Sequence, residues 1–106
     1  MVGGGAVDFG SGDALMITLE RRFVRNDSLL ATEVDGALVM MDVDSGKYFH
    51  LDPVGAKIWA MIDRPTAVSD VCDRLLGAYD GELGQIQVDV LAYFARLEAA
   101  DLVRRA

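Results

Sequence analysis

A chain of 106 residues with a formal charge of −7 and 52% hydrophobic residues has the size of one domain with a modest core. The acidic balance argues against a nucleic-acid partner, which is held largely by Lys and Arg neutralising phosphates, and no apolar run approaches the length needed to span a bilayer. Cys72 is the single cysteine, so an internal disulfide is excluded. The N-terminus lacks the basic-then-apolar pattern of a secretory signal, and a cytoplasmic protein with no membrane contact is expected.

Residues 1 to 15 are Gly-rich and aperiodic and read as a flexible tail; the domain is expected to span residues 16 to 106. Met16 to Val24 alternates loosely and reads as an extended arm or a short first strand. Leu29 to Val34 is the first clear strand, with Leu30, Thr32 and Val34 on one face. Asp35-Gly36 marks a two-residue hairpin turn, because glycine tolerates the positive φ that such turns need. Ala37 to Val43 is the second strand. The acidic turn Asp44-Ser45-Gly46 leads into the third, Lys47 to Leu51, completing an antiparallel meander.

Helical patterns follow. Asp52 is placed to cap a helix over about Pro53 to Ile62, with proline at the first position, where its missing N–H costs nothing. Arg64-Pro65 ends it. A second helix over about Ala67 to Tyr79, with Thr66 as its N-cap, carries the stripe Val68, Val71, Cys72, Leu75 and Tyr79. A third, about Leu83 to Ala100, places Ile86, Val90, Phe94 and Leu97 near one face and Tyr93 at its border. Leu102-Val103 returns as a short extended piece. The order predicts an α+β fold, winged-helix-like in its parts, with a three-stranded antiparallel sheet followed by three helices packed on one face.

Catalytic chemistry is absent from this pattern. His50 and Cys72 are single, so a metal site is not expected. No nucleophile elbow and no phosphate-binding glycine loop is present, and no cofactor is expected. What remains is an edge. A three-stranded sheet offers unpaired backbone groups at its ends, and a peptide can add there as a further strand. The third strand, Lys47, Tyr48, Phe49, His50 and Leu51, is the candidate edge, with a groove formed against the third helix through Ile86, Val90 and Tyr93. Lys47, Tyr48, Asp89 and Tyr93 fit exposed or groove positions. Phe49, Leu51, Val90 and Phe94 fit the core equally well. Leu97 completes the candidate peptide-binding set.

The run from Glu33 to Asp63 resembles the PqqD family in Ser45, Gly46, Tyr48, Phe49, Leu51, Asp52, Gly55, Ile58, Trp59 and Ile62, which follow a strand pair around a D-G turn. The likeness continues through the second helix to Tyr79 and through Val90 to Val103. It implies a RiPP recognition element, a small winged-helix-like domain that binds the leader segment of a ribosomally made precursor peptide. The leader would add to the third strand, lie against the third helix and be presented to a processing enzyme. The opening from Ile17 to Gly36 is more similar to lasso-type and general PqqD-like members than to quinone-pathway proteins. The expectation is therefore a non-enzymatic leader-binding adaptor working with a leader peptidase in lasso-peptide biosynthesis. The alternatives are a peptide chaperone for a radical SAM protein in another RiPP or quinone-cofactor pathway, a winged-helix DNA-binding regulator, and a subunit that only stabilises a partner enzyme. Asp101 stands where many relatives turn with glycine, which bears on where the third helix ends.

Overall fold

The computed structural model describes residues 17–106, in the order β1 (Arg22–Arg25), β2 (Leu29–Val34), β3 (Ala37–Asp42), β4 (Tyr48–Leu51), α1 (Pro53–Met61), β5 (Thr66–Ala67), α2 (Val68–Ala78), α3 (Leu83–Ala99) and β6 (Val103–Arg105). The tail expected over residues 1 to 15 lies outside the described residues. The meander β2-β3-β4 is antiparallel throughout. Its first turn is set by Asp35 and Gly36, which both have positive φ, 53° and 84°, the backbone that a two-residue hairpin requires. In the second turn Gly46 is also left-handed, at φ 74°. There the Asp42 carboxylate accepts a hydrogen bond from the Asp44 N–H at 2.9 Å.

Strand alternation splits the meander into two faces. Leu38, Met40, Phe49 and Leu51 pair across β3 and β4 and turn toward the helices, with Met40 fully buried. Leu30, Val34 and Tyr48 lie on the other face and are exposed. The face that Leu30, Thr32 and Val34 share in sequence is thus the outer one. Helix α1 lies over β3. It begins at Asp52, whose Oδ1 accepts from the Gly55 N–H at 2.8 Å, with Pro53 at its first position.

Two helix ends differ from the sequence expectation. Helix α1 stops at Met61, ahead of Arg64-Pro65, because Ile62 turns out of the helix and its carbonyl accepts from the Arg25 N–H at 3.1 Å. Thr66 is not the cap of α2: it pairs with Phe23, and its hydroxyl donates to the carbonyls of Met61 and Arg64. Ala67 occupies the cap position without a side-chain bond. The first N–H groups of α2 are satisfied instead by the N-terminal arm. Val68 donates to the Arg21 carbonyl at 3.0 Å and Ser69 to the Leu19 carbonyl at 2.9 Å, meeting the need that every helix start carries.

The arm is also the centre of a second sheet, β5-β1-β6. Phe23 is fully buried and stacks on Phe94 of α3 with ring centroids 4.8 Å apart. Arg25 donates through Nε to the Trp59 carbonyl at 2.9 Å and sits over the Trp59 ring. Helix α3 ends in a Schellman motif. Leu102 N–H donates to the Leu97 carbonyl, Asp101 N–H donates to the Glu98 carbonyl, and Asp101 takes the left-handed position at φ 61°. An aspartate thus makes the turn for which glycine is the usual choice.

Asn26 fastens this end of the molecule to the meander. It is 4% exposed. Its backbone N–H donates to the Leu102 carbonyl and its Nδ2 to the Asp101 carbonyl, at 3.0 and 2.8 Å. Its Oδ1 accepts from the Ser28 N–H and from Arg104, both at 3.0 Å. Asn26→Ala should lower stability by about 2–3 kcal/mol in urea unfolding, since several buried groups lose their partner at once. Asp101→Ala should cost about 1 kcal/mol, because alanine adopts the left-handed backbone less readily than aspartate, whereas Asp101→Gly should not destabilise.

Candidate peptide-binding site

The backbone of β4 has one satisfied side and one open side. The Asp42 N–H donates to the Lys47 carbonyl at 2.9 Å. Antiparallel alternation then directs the N–H and C=O groups of Phe49 and Leu51 toward β3, and those of Tyr48 and His50 away from it. Strand β4 ends the sheet order, so Tyr48 and His50 have no strand neighbour on that side among the described residues. The side chains alternate in the other sense. Tyr48 is 73% exposed and His50 is exposed, both on the outer face, while Phe49 is half-buried and Leu51 buried beneath the helices. Lys47 is exposed just ahead of the strand.

Beside the end of this strand a cavity of about 300 Å³ opens between the three helices. The start of α1 supplies Asp52, Val54, Gly55 and Ile58. The end of α2 and the residues after it supply Leu75, Tyr79 and Asp80. Helix α3 supplies Ile86, Asp89, Val90, Tyr93 and Arg96. Four residues singled out by sequence, Ile86, Asp89, Val90 and Tyr93, therefore converge on one concavity. Lys47, Tyr48, Phe49, His50 and Leu51 do not line it; the strand approaches it at its end, where Leu51 lies near Gly55 and precedes Asp52. Leu97 is buried at 4% exposure in the core and lies outside the cavity. Sequence reasoning missed the contributions of α1 and α2 to the wall. The one available signal was Gly55, a small residue within an apolar helix, where a neighbour approaches closely.

That neighbour is Tyr93. A β-carbon at Gly55 would collide with the Tyr93 hydroxyl and would stand 3.1 Å from the Leu51 Cβ. The phenol is pushed above its ordinary pKa, first by burial and then by the nearby Asp52 carboxylate, while Arg96 opposes the shift. Arg96 lies over the Tyr93 ring at 5.5 Å. The ring is thus a neutral wall that keeps its proton at physiological pH.

Elsewhere the chemistry is sparse. Burial pushes the Cys72 thiol up, with Asp73 adding to the shift, as suits an inert core residue. Among the described residues no three His, Cys, Asp or Glu side chains are grouped to hold a metal ion. None of the described helices is long and apolar enough to cross a membrane.

Gly55→Ala should destabilise the domain by about 1–3 kcal/mol, the usual range for over-packing, and Tyr93→Phe should recover part of that loss in a double-mutant cycle. The raised phenol makes the folded state hold its proton longer than the unfolded chain. Its stabilising contribution is complete below the ordinary tyrosine pKa of about 10 and is lost as pH rises through the folded value. Urea unfolding across the alkaline range should therefore show a flatter decline for Tyr93→Phe than for the parent.

The PqqD family model, described as coenzyme PQQ synthesis protein D, matches residues 37–103, more than half of the chain. No curated protein matches at a comparable level of significance. Among solved structures, the chain is similar to TbiB1 in complex with the TbiA(beta) leader peptide, with a TM-score of 0.71 at 21% identity, over 76% of this chain and 94% of that one. It is also similar to a lasso peptide synthetase B1 complexed with the leader peptide, with a TM-score of 0.69 at 22% identity, over 77% of this chain and 96% of that one. At these identities the likeness establishes the fold. With a meander followed by three helices and a family match that runs from the second meander strand through all three helices, the chain belongs to the PqqD family.

Proposed function

We propose that this chain is a non-enzymatic adaptor that binds the leader segment of a ribosomally synthesised precursor peptide and presents it to a processing enzyme. The binding unit is residues 16–106, a RiPP recognition element. The leader adds as a strand to β4 and lays its inward side chains against α3. The observation that carries this reading is the open side of β4, where the Tyr48 and His50 backbone groups point away from the sheet beside the concavity of Ile86, Asp89, Val90 and Tyr93. Backbone bonding to such an edge supplies affinity, and the adjoining cavity supplies selectivity.

The lasso-peptide setting, with a leader peptidase as the processing enzyme, is supported by the two similar folds, each of which is bound to a leader peptide. An adaptor of this kind would act in the cytoplasm, where precursor peptides are made, and needs no cofactor. The proposed contact residues are Lys47, Tyr48, Phe49, His50 and Leu51 on the strand, and Ile86, Asp89, Val90, Tyr93 and Leu97 on α3. Three of these, Leu51, Val90 and Leu97, are buried and act by shaping the surface rather than by exposing their own.

The test is fluorescence polarisation with the labelled leader of the precursor encoded beside this gene. Saturable binding in the micromolar range or tighter, competed by unlabelled leader and not by core peptide, is expected. No binding would remove the adaptor reading. Proline is tolerated at an edge position whose N–H faces outward. His50→Pro should therefore leave the fold intact by circular dichroism and weaken the leader about tenfold, the equivalent of one lost hydrogen bond.

A further inference from the structure

The floor and the mouth of the cavity between α1, α2 and α3 differ in chemistry. The floor is apolar, with Ile58, Leu75 and Val90 each at most 4% exposed. The mouth carries three carboxylates from three places in the chain: Asp52 at the head of α1, Asp80 after α2, and Asp89 on α3. All three are exposed. One oxygen of Asp52 accepts from the Gly55 N–H, and one of Asp89 accepts from Gln85, at 2.8 and 2.9 Å. None of the three is joined to a cation in an ion pair among the described residues. Arg96, the one cation among the residues lining the cavity, lies over Tyr93.

We infer that this cavity selects a peptide segment in which an apolar side chain is flanked, within two residues on either side, by lysine or arginine. The inference rests on the peptide-binding reading of the site and adds to it the charge of what is bound. An apolar side chain matches the floor, where removing apolar surface from water is favourable. A lysine in its place would bring its charge to the driest part of the cavity, which is costly without a buried counter-charge. Flanking residues of the same peptide stay at the mouth, where the carboxylates wait. An acidic flank would meet like charge there, and a neutral flank would partly desolvate the carboxylates without compensating them. The placement also suits strand addition. The open backbone groups of β4 end at His50, and the first carboxylate follows at Asp52, so a peptide on β4 that continues beyond His50 comes level with Asp52.

The test uses three acetylated, amidated pentapeptides with leucine in the middle, alanine on each side of it, and lysine, glutamine or glutamate at both ends. Each is titrated into the full chain while the methyl signals of Ile58, Leu75 and Val90 are followed by NMR. The lysine peptide should saturate at a concentration about fivefold below the glutamine peptide, and the glutamate peptide should bind weakest, as expected for solvent-exposed pairs. Raising salt should shrink the difference. Asp80→Asn combined with Asp89→Asn should reduce the lysine preference, with Asp52 left to hold the remainder, while leucine-dependent shifts persist, and Arg96→Gln should sharpen it. Equal binding of the glutamate peptide, a preference unchanged in the double variant, or no methyl shift with any peptide would overturn the inference. Leader polarisation with the parent protein is a separate readout. Leader binding without the lysine preference would sink only the charge selection, and methyl shifts without leader binding would sink only the adaptor reading.

Discussion

The arrangement depends on a buried asparagine. Strand β1 has no hairpin neighbour; its partners are β5 and β6, which lie far away in sequence. Strands this short, joined through long intervening segments, do not repay the entropy of ordering them by their ladder bonds alone. Asn26 adds to them. Its amide and backbone bond to the turn after α3, to Arg104 and to the start of β2 at once. Each of those groups would otherwise be a polar atom left unpaired at a partly buried junction, and that cost makes the junction specific. With it in place, the meander, the end of α3 and the small sheet hold one relative position.

The position of the cavity follows from that junction. Phe23 of β1 stacks on Phe94 of α3, and Arg25 of the same strand holds the Trp59 carbonyl near the end of α1. The arm therefore grips two of the three helices that wall the cavity. Its carbonyls at Leu19 and Arg21 also complete the start of α2. At the other end of α1, Gly55 lets the Tyr93 ring come against the helix backbone. A side chain there would displace the Tyr93 hydroxyl and crowd Leu51, so the packing of this wall depends on a missing side chain.

The two halves of the site do different physical work. The β4 edge offers backbone groups, which in the proposed mode would pair with an extended peptide with little regard for its sequence. The cavity offers shape, an apolar floor and an anionic mouth, which in the proposed binding mode would discriminate. Placing them side by side lets one extended segment meet both, with a general contribution from the edge and a selective one from the helices.

Local chemistry made much of this legible in the sequence. The Asp35-Gly36 turn, the Asp52-Pro53 helix start and the stripe of Val68, Val71, Cys72 and Leu75 each depend on residues within a turn or two of one another. The helical period likewise brought Ile86, Val90 and Tyr93 together as one surface before any fold was known. Features made by distant segments were not legible. Thr66 had the composition of an N-cap, yet a strand more than forty residues earlier in the chain claimed its backbone, and its hydroxyl bonded elsewhere. The strands β5 and β6 are too short to show a period. Whether Leu51, Val90 and Leu97 were core or surface was decided only when the helices packed. So the sequence by itself determined the three meander strands, the three helices, their order and the family resemblance, because those rest on short-range backbone preferences and repeating patterns. Only the tertiary structure decided which residues of three helices wall the cavity and which carboxylates meet at its mouth, because both depend on contacts between segments that no local pattern encodes.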